Sequence, residues 1–514
     1  MDWTAGYASD VQYTAGFYQD QSPTHLNYVC ALNGFEPVPT DVPFTYFELG
    51  FGRGLTANLL AAANPNGAFY ATDFNAAHVA GASALAGAAG LTNLTLLESS
   101  FAELATGQVA GLPQFDFITM HGIYTWVTAE NRAHIVEFIR RYLKPGGVVF
   151  LSYNAMPGWA AVQPLQRLLV EYGDCFPNRS DLQIDGAAKF VRKLVDAKAA
   201  YFEQNARLDH RLNVLQSADR GYLVHEYMHK HWQPLYHADV ARELAQAKLD
   251  FVGTADLPLN YGKLYLSSEQ QAAIALLPDP AMRETLKDYV LNASFRKDIF
   301  IKGARPMGSV RRAEWLGKVG MALSMPRADL SFKMALSIGE RTVSAELYGP
   351  VFDALAERPH TLAELAALPA MAGQTGDNIA QIASLLFASG KAAMLVGDQA
   401  RDDGPARRMN CALAAVSHYA NDYNVLCAPL MRSAIPATLI ERLLVGSLLK
   451  QPALRDIDTL ANATWNILHG MGRSMARDGK ALTTMDENLA ELRLQIDLIL
   501  RTRLPFWQQL NIVQ

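Results

Sequence analysis

The chain has few cysteines, no long apolar run and little excess charge. Its four cysteines lie far apart without paired spacing, at Cys30, Cys175, Cys411 and Cys427. This arrangement argues against a zinc site and favours buried free thiols. No run of about eighteen or more apolar residues is present, so we expect no membrane span. Residues 1–4 begin neither the basic nor the apolar segment of a secretory signal.

The charge balance excludes a further class of protein. A formal net charge of −5 gives no nucleic-acid-binding signature, which would be a basic patch or a basic domain. We therefore expect a cytoplasmic protein with neither a metal nor a nucleic-acid partner. The chain has 514 residues, of which 50% are hydrophobic, so it is long enough for two or three domains with substantial cores.

The most informative segment is a glycine-rich loop at residues 48–54, which read ELGFGRG. A short apolar strand at 44–47 precedes it, and residues 55–63 have the composition of a helix. The loop therefore lies at a helix N-terminus, where backbone N–H groups are free to meet a ligand. This arrangement is typical of a site for a nucleotide-type cofactor.

The spacing of the glycines indicates which cofactor binds. Gly50, Gly52 and Gly54 differ from the G-x-G-x-x-G pattern of dinucleotide sites, which argues against NAD. Glu48 opens the loop and Asp73 ends the next predicted strand. These two carboxylates suit S-adenosylmethionine, which carries a cationic amino group and offers two ribose hydroxyls to a carboxylate.

The segments around the loop alternate between strand and helix patterns, which predicts a doubly wound parallel α/β sheet. The strands are predicted at 69–73, 94–97, 115–120 and 148–153, and the helices at 76–89 and 130–142. Ligands on such sheets bind at the carboxyl ends of the strands. We therefore expect one crevice formed by Glu48, Asp73, Phe74, Glu98, Ser99, Ser100, Phe101, His121, Tyr153 and Asn154.

The order of these motifs resembles the class I S-adenosylmethionine-dependent methyltransferases. The resemblance rests on ELGFGRG, on Asp73, on Phe-Asp before the fourth strand and on LKPGG at 143–147. Three further segments resemble bacterial methyltransferases that carry a methyltransferase regulatory domain, a family that includes the rickettsial-type protein lysine methyltransferases acting on outer membrane proteins. They are FDFITMHGIYTWV at 115–127, YNAMPGW at 153–159 and FRKDIFIKG at 295–303.

This resemblance implies S-adenosylmethionine as cofactor, with S-adenosylhomocysteine as product. It implies N-methylation of lysine side chains in a protein, such as an outer membrane protein before export. The alternative is an O- or N-methyltransferase for a small molecule or natural product. A protein acceptor predicts a wide acidic groove, whereas a small acceptor predicts a closed pocket under the N-terminal segment. One departure concerns adenine: many related enzymes have an Asp after the third strand, where this chain has Ser100.

The catalytic candidates follow the fourth strand, where related amine methyltransferases place acceptor-positioning groups. A lysine acceptor must lose a proton, because its free pKa is near 10.4. We expect Tyr124 to accept a hydrogen bond from the amine, His121 to contact the cofactor or the amine, and Trp126 to form an aromatic wall. A structural role for His121 and Trp126 is the alternative. Tyr153 and Asn154 either line the acceptor channel or support the turn that follows.

The predicted fold is a Rossmann-like class I methyltransferase sheet with a helical insertion, followed by a mainly helical C-terminal domain. The parts are an N-terminal cap or lid at 1–40, a cofactor-binding core at 41–220 with an insertion at 160–220, a regulatory segment at 221–310 and a C-terminal domain at 330–514. The cap is expected from aromatic residues that are too frequent for a disordered tail; the alternative is that they only pack on the outer helices of the sheet. These are Tyr7, Tyr13, Phe17, Tyr18 and Tyr28.

Residues 221–310 allow two interpretations. A helix at 240–247 and strands at 251–253 and 263–266 would complete the methyltransferase sheet as its final pair, or the segment forms an independent domain. Residues 225–232, HEYMHKHW, have histidine spacing that does not suit a metal site, so we expect a substrate-docking element or packing against the insertion.

The C-terminal part includes a winged-helix-like pattern. Residues 361–366 have a capping-box sequence, a helix is predicted at 379–389, and a strand follows at 394–396. The candidate recognition helix carries almost no Lys or Arg, so a protein contact or a homodimer interface is favoured over DNA binding.

Overall fold

The computed structural model describes residues 10–11, 15–396 and 402–514. Tyr7 and Tyr13 of the predicted cap lie outside the described residues. A seven-stranded sheet forms the centre, with strand order β3-β2-β1-β4-β5-β7-β6. Its strands are β1 (Phe44–Leu49), β2 (Gly67–Asp73), β3 (Leu94–Glu98), β4 (Phe115–Met120), β5 (Leu143–Asn154), β6 (Leu249–Thr254) and β7 (Phe295–Lys302).

Strands β1 to β5 run parallel, and β7 lies antiparallel between β5 and β6. Helices α1 (Pro23–Leu32), α2 (Leu55–Ala63), α3 (Ala76–Ala88), α4 (Phe101–Thr106) and α5 (Ala129–Tyr142) belong to this part of the chain. The inner strands β1 and β4 are buried because helices cover both faces of a parallel sheet, whereas the edge strand β3 is partly exposed. The Rossmann-like prediction is confirmed, and every strand end of the parallel part opens toward the same edge.

Local sequence explains where the helices begin. Gly54 has φ +72° at the N-cap of α2, and a Cβ there would overlap the Cβ of Ala82 on α3. A side chain would therefore push the two helices apart. Ser100 and Glu103 form a reciprocal capping box at the start of α4, an arrangement that satisfies backbone N–H groups which the helix itself leaves unpaired.

The final pair of strands differs from the prediction. The strand at 251–253 is present as part of β6, but the strand predicted at 263–266 is wrong. Residues Gly262–Leu264 form a 3-10 helix, and Leu266 N–H donates to the carbonyl of Gly262 at 2.8 Å. The turn uses the backbone groups that a strand would need for its ladder. The partner of β6 is instead β7, so residues 221–310 complete the sheet.

The insertion after β5 is helical. It consists of α6 (Gln163–Cys175), α7 (Ser180–Asp196), α8 (Ala200–Glu203), α9 (Asp209–Ser217) and α10 (Arg220–Tyr227). These helices share a core with Trp159 and Trp232. Helices α11 (His237–Ala245), α12 (Ser268–Ala275) and α13 (Pro280–Leu291) follow; α11 packs on β6, and α13 packs on both α11 and α12.

The C-terminal part begins with the predicted winged-helix-like order of elements. It contains α14 (Ser309–Gly317), β8 (Val319–Leu323), a hairpin of β9 (Lys333–Leu336) and β10 (Gly339–Thr342), α15 (Ala345–Glu357), β11 (His360–Thr361), α16 (Leu362–Ala366), α17 (Gly376–Ala388) and β12 (Ala392–Val396). Strand β8 pairs with both β11 and β12. The capping box of Thr361 and Glu364 is present at the start of α16.

The remainder of the chain is mainly helical. Its elements are α18 (Gly404–Val416), β13 (Val425–Ala428), β14 (Ser433–Pro436), α19 (Leu439–Lys450), α20 (Ile457–Gly470), β15 (Ala476–Arg477), β16 (Lys480–Ala481), α21 (Met485–Thr502) and α22 (Leu504–Gln509). Within the described part of the chain, no helix combines the length and the apolar character that a membrane crossing requires.

Helix α1 joins the sheet to the C-terminal part. The hydroxyl of Tyr28 lies 3.0 Å from the carbonyl oxygen of Ala380 and 2.8 Å from the hydroxyl of Ser384, both on α17. Tyr28 is buried, so this aromatic of the predicted cap packs between two parts of the molecule and does not cover the crevice.

Candidate functional site

A cavity of about 430 Å³ opens at the carboxyl ends of the parallel strands. Most of the residues predicted from the sequence lie in its wall, and the structure thus brings together side chains from several strand ends. The predicted residues that line it are Glu48, Gly50, Gly52, Asp73, Phe74, Ser99, Ser100, Phe101, His121, Trp126 and Asn154. Gly54, Glu98, Tyr124 and Tyr153 are predicted residues that are not among those lining the cavity, and their positions are described below.

The glycine loop is folded by backbone hydrogen bonds to β2. Gly50 and Phe51 both donate their N–H groups to the carbonyl of Thr72, at 2.8 and 3.1 Å. Gly50 and Gly52 have φ of +67° and +57°, a conformation that L side chains rarely adopt. A Cβ on Gly50 would also overlap the side chain of Ile123. Gly54 supports the loop from behind, through the contact between α2 and α3.

Asp73 connects the end of β2 to the glycine loop. Its Oδ2 accepts a hydrogen bond from Gly52 N–H at 2.8 Å, and its Oδ1 accepts from Asn75 N–H at 2.9 Å. His78 Nδ1 lies 3.2 Å from Oδ1. Each carboxylate oxygen has two lone pairs, so Asp73 keeps acceptor capacity on the cavity side, as a carboxylate facing a ribose diol requires.

Glu48 is buried at the base of the cavity with one oxygen unsatisfied. Gln21 Nε2 donates to Oε1 at 3.3 Å, whereas Oε2 has no hydrogen-bond partner within the part of the chain that the structure describes. Burial raises the pKa of Glu48 to about 8, and the charge of Asp73 raises it too, against the hydrogen bond from Gln21. A cationic amino group beside Oε2 would satisfy this acceptor and favour its ionised form. The residues present therefore fit S-adenosylmethionine.

Cofactor affinity should depend on pH through Glu48. Its pKa is raised from 4.5 to about 8, so the cofactor-free protein holds a proton on Glu48 at pH 7. Binding of a cation favours the ionised carboxylate. We therefore expect the dissociation constant of S-adenosylmethionine to fall by up to about tenfold for each unit that the pH rises toward 8. Binding below pH 8 should release up to about one proton. Calorimetry at pH 6 and 7, in buffers of different ionisation enthalpy, measures this release.

The matched control is Glu48→Gln. The cofactor's own amino group also titrates near this range, and the glutamine variant retains that contribution while losing the carboxylate. Equal proton release by the wild type and Glu48→Gln would remove Glu48 from the cofactor site.

His121 is a neutral ring stacked against the N-terminal segment. The rings of His121 and Tyr18 lie 3.6 Å apart between centroids, and Nδ1 of His121 is 3.1 Å from the hydroxyl of Ser152. Burial lowers the pKa of His121 to about 4; nearby Lys297 also lowers it, while Asp20 opposes the shift. The imidazole is therefore uncharged at neutral pH, and Tyr18 forms the adjoining part of the cavity wall.

Tyr124 does not face the cavity. Its side chain is fully buried, and its hydroxyl donates to Glu243 Oε2 on α11 at 2.5 Å. Burial raises the pKa of Tyr124 well above its usual range, and Glu243 raises it further. Arg132 also pairs with Glu243, at 3.4 Å. The predicted role as hydrogen-bond acceptor for the amine is corrected: Tyr124 ties the loop after β4 to α11.

Tyr124→Phe should therefore affect stability more than turnover. The variant leaves Glu243 without its hydroxyl donor, and we expect a loss of about 1–2 kcal/mol in the free energy of unfolding. Cofactor affinity and turnover should stay within about twofold of the wild type, a factor that corresponds to a few tenths of a kcal/mol. Urea unfolding and calorimetry measure the two quantities. Tyr419→Phe, at a side chain that is 76% exposed, is the control, and a large drop in turnover without loss of stability would contradict the structural role.

Tyr153 and Asn154 separate at the end of β5. Successive side chains on a strand point to opposite faces, and only Asn154 lines the cavity. Tyr153 is fully buried and donates its hydroxyl to Asp298 Oδ2 at 2.7 Å. The prediction that Tyr153 lines the acceptor channel is therefore corrected: its hydroxyl pairs with the buried Asp298.

Part of the cavity wall comes from residues that lie outside the crevice predicted at the strand ends. Tyr222, His225, Glu226 and His229 lie on or just after α10, and Phe295 begins β7. The available signal was the unusual density of histidine and aromatic residues at 225–232, which we interpreted as docking or packing. The ring of Trp126 lies 5.1 Å from that of His229 and 6.0 Å from that of Trp232. Trp126 thus contributes to both the cavity wall and the aromatic cluster behind it.

Comparison with known proteins agrees with this geometry. A family model described as a methyltransferase domain matches residues 47–149, and one described as a predicted methyltransferase regulatory domain matches residues 219–302. An uncharacterized protein of Synechocystis is 35% identical over 514 residues, which cover 100% of both chains. An uncharacterized protein of Rickettsia prowazekii is 25% identical over 295 residues, 56% of this chain and 51% of that one.

The structure of PKMT2 from Rickettsia typhi in complex with AdoHcy is similar over nearly the whole chain. The TM-score is 0.71 with 16% sequence identity, and the alignment covers 98% of this chain and 99% of that one. At this level of identity the similarity shows a shared fold, from the central sheet to the helical C-terminal part.

Proposed function

Because the chain belongs to the class I S-adenosylmethionine-dependent methyltransferases that carry a predicted methyltransferase regulatory domain, we propose that it N-methylates lysine side chains of a protein. S-adenosylmethionine is the cofactor of this family, which confirms the cofactor predicted from the glycine loop. The protein acceptor is supported by the sequence motifs shared with rickettsial-type protein lysine methyltransferases and by the similarity to the PKMT2 fold.

The observation that carries the proposal is the composition of the continuous cavity. Its wall contains the glycine loop, Glu48 and Asp73, and it also contains Trp126 and Glu226. The first set suits a cationic cofactor, whereas the second suits an acceptor that is itself cationic before and after methylation, because aromatic rings and carboxylates both attract ammonium groups. A hydroxyl acceptor has no use for a counter-charge of this kind.

The residues have separate tasks in this reaction. The cofactor supplies a methyl group on a sulfonium when it is bound. Glu48, Asp73 and the loop amides would hold its amino and ribose groups, which fixes the direction from which an acceptor must approach. Trp126 and Glu226 would hold the acceptor as an ammonium, which must lose a proton before its nitrogen can be methylated.

Labelled cofactor tests the proposed acceptor. The full chain is incubated with methyl-labelled S-adenosylmethionine and an extract of its source cells, and the label is followed into the protein precipitate and the small-molecule fraction. We expect label in protein, and methyl-lysine after acid hydrolysis. Asp73→Ala serves as the inactive control. Label confined to small molecules would exclude the protein acceptor.

One observation favours a small-molecule or natural-product acceptor as the second candidate. Gly16 and Tyr18 of the N-terminal segment lie in the cavity wall, and the ring of Tyr18 stacks on that of His121. A closed pocket under this segment is what that alternative predicts. The same labelling experiment separates the two candidates.

The proposal also extends to location and partners. We propose that methylation takes place in the cytoplasm on a protein such as an outer membrane protein before export, because the shared motifs are those of enzymes with such substrates. Fractionation of cells and mass spectrometry of the labelled protein test both points. The homodimer stays a prediction, which light scattering measures.

A further inference from the structure

Part of the cavity wall is formed by the segment that matches the predicted regulatory domain. Tyr222 and Glu226 lie on α10 with i, i+4 spacing, which places both on one face of the helix. Both line the cavity, together with His229 from the turn that follows. This segment therefore contributes side chains to the site itself, beyond any contact between domains.

Glu226 is a partly desolvated carboxylate within this wall. Its side chain is 18% exposed, and its Oε1 lies 3.6 Å from Nη1 of Arg211, which is longer than a direct hydrogen bond. The guanidinium of Arg211 also lies over the ring of Trp159, at 4.1 Å from the centroid. Arg211 is thus held by two partners, and because its contact with Glu226 is long, the carboxylate keeps capacity to accept from a further donor.

The groups around Glu226 select for a cation. Trp126 supplies an aromatic face to the same cavity, and tryptophan is the strongest aromatic partner of ammonium groups. A cavity whose wall contains both a carboxylate and an aromatic residue stabilises an alkylammonium more than a neutral hydroxyl compound of the same size. The site thus has the chemistry of an amine-binding pocket.

We propose that Glu226 is the counter-charge and proton acceptor for a cationic amine substrate. This inference deepens the proposed function and rests on its amine acceptor. One proton passes from the substrate ammonium to the carboxylate of Glu226, and the freed nitrogen lone pair forms the new N–C bond. The C–S bond breaks at the same time and its electron pair stays on sulfur. The products are a methylated ammonium, S-adenosylhomocysteine and protonated Glu226, which returns its proton to solvent.

The titration of Glu226 suits this role. Burial raises its pKa to about 7, although Arg211 on α9 lowers it. The other titratable groups around it are Tyr222 and Tyr227 on its own helix, with the pocket histidines His225 and His229. Glu226 accepts a proton only when ionised, so the rate at low acceptor concentration should increase as pH rises through about 7.

Glu226→Gln tests the catalytic role. We expect kcat/KM for the amine acceptor to fall by about 100-fold or more, the usual contribution of a positioned general base. The dissociation constant of S-adenosylmethionine should remain within about twofold of the wild type, since Glu48 and Asp73 are unchanged. The increase in rate near pH 7 should be lost, and Glu226→Asp should restore part of the activity. Glu203→Gln, at an exposed residue of the same helical insertion, is the control.

A binding experiment separates this inference from the proposed protein substrate. The full chain saturated with S-adenosylhomocysteine is titrated with n-butylamine, which matches the lysine side chain, and with n-butanol. We expect Glu226→Gln to bind n-butylamine at least about tenfold more weakly than the wild type does. The variant and the wild type should bind n-butanol with equal affinity. If label never enters protein but this difference appears, the lysine substrate fails and the amine site stands. If the variant equals the wild type in amine binding and in rate, Glu226 has no such role.

Discussion

Replacing Asp298 with alanine should lower the free energy of unfolding by about 3–5 kcal/mol, the usual cost of removing one partner from a buried ion pair. Asp298 is fully buried on β7. It accepts hydrogen bonds from Arg296 Nε at 2.9 Å and from the hydroxyl of Tyr153 at 2.7 Å, and His237 Nδ1 lies 2.9 Å away. Alanine would leave the buried Arg296 guanidinium with Asp288 as its nearest counter-charge.

The pH dependence of this contribution follows from the direction of the shift. Burial alone would raise the pKa of Asp298, but Arg296 and His237 hold it well below its usual range. A carboxylate with a depressed pKa stabilises the folded state above its unfolded pKa of about 3.9, and this stability is lost as the pH falls toward the folded value. The difference between wild type and Asp298→Ala should therefore stay constant from pH 8 to about pH 5 and shrink only in stronger acid.

Hydrogen exchange measures the effect locally, because a chain of several domains need not unfold in one step. Amides of β5 and β7 should lose protection in Asp298→Ala, together with an earlier urea transition. Asp250→Ala is the matched control, since Asp250 is exposed on the neighbouring β6. Equal protection in the two variants would show that the buried network contributes little.

The network also connects stability to the cavity. Tyr153 precedes Asn154 on β5, and Arg296 follows Phe295 on β7; Asn154 and Phe295 both line the cavity. The buried hydrogen bonds therefore fix the backbone of two strand ends whose next residues contribute to the wall. A variant that weakens the network should therefore displace the cavity wall near Asn154 and Phe295 more than it displaces the glycine loop.

The parallel half of the fold was predictable because its signals are local. The glycine loop, the strand-ending Asp73 and the Leu-Lys-Pro-Gly-Gly segment each identify an element within a few residues. Strand β7 was missed as a strand because FRKDIFIK carries charges, which usually indicate a solvent-exposed face. Arg296 and Asp298 are buried only because they pair with each other and with residues from α11 and α13, and those partners are distant in sequence.

The site residues divide in the same way, into those that a local signal identifies and those that depend on partners distant in sequence. Residues placed by the rule that ligands bind at strand ends were found in the cavity wall, as for Glu48, Asp73 and Asn154. Tyr124 was misplaced because its hydroxyl partner, Glu243, comes from a distant helix. Glu226 was missed because only the packing of α10 on the insertion brings it to the cavity, and no spacing within residues 225–232 reports that contact.

Replacing Asp73 with alanine should weaken the binding of S-adenosylmethionine by about 100-fold. The carboxylate holds the loop through Gly52 N–H and Asn75 N–H and faces the cavity that would receive the ribose. The variant would lose two hydrogen bonds that the ribose hydroxyls donate to this carboxylate, and at about 1.5 kcal/mol each, the lower end of the usual range for a charged group, their loss corresponds to this factor. Asp73→Asn keeps one acceptor oxygen, so its affinity for S-adenosylmethionine should lie between those of the wild type and Asp73→Ala.

Glu98→Ala provides the matched control for this prediction. Glu98 ends β3 directly opposite Asp73 in the parallel register, but its side chain is exposed and does not line the cavity in the described part of the chain. Calorimetry with S-adenosylmethionine and S-adenosylhomocysteine should show weak binding by Asp73→Ala and normal binding by Glu98→Ala, while thermal unfolding confirms that both variants are folded. If a folded Asp73→Ala variant binds both compounds as tightly as Glu98→Ala does, the ribose and loop contacts of Asp73 contribute nothing to affinity, and the cofactor must be held by other parts of the cavity.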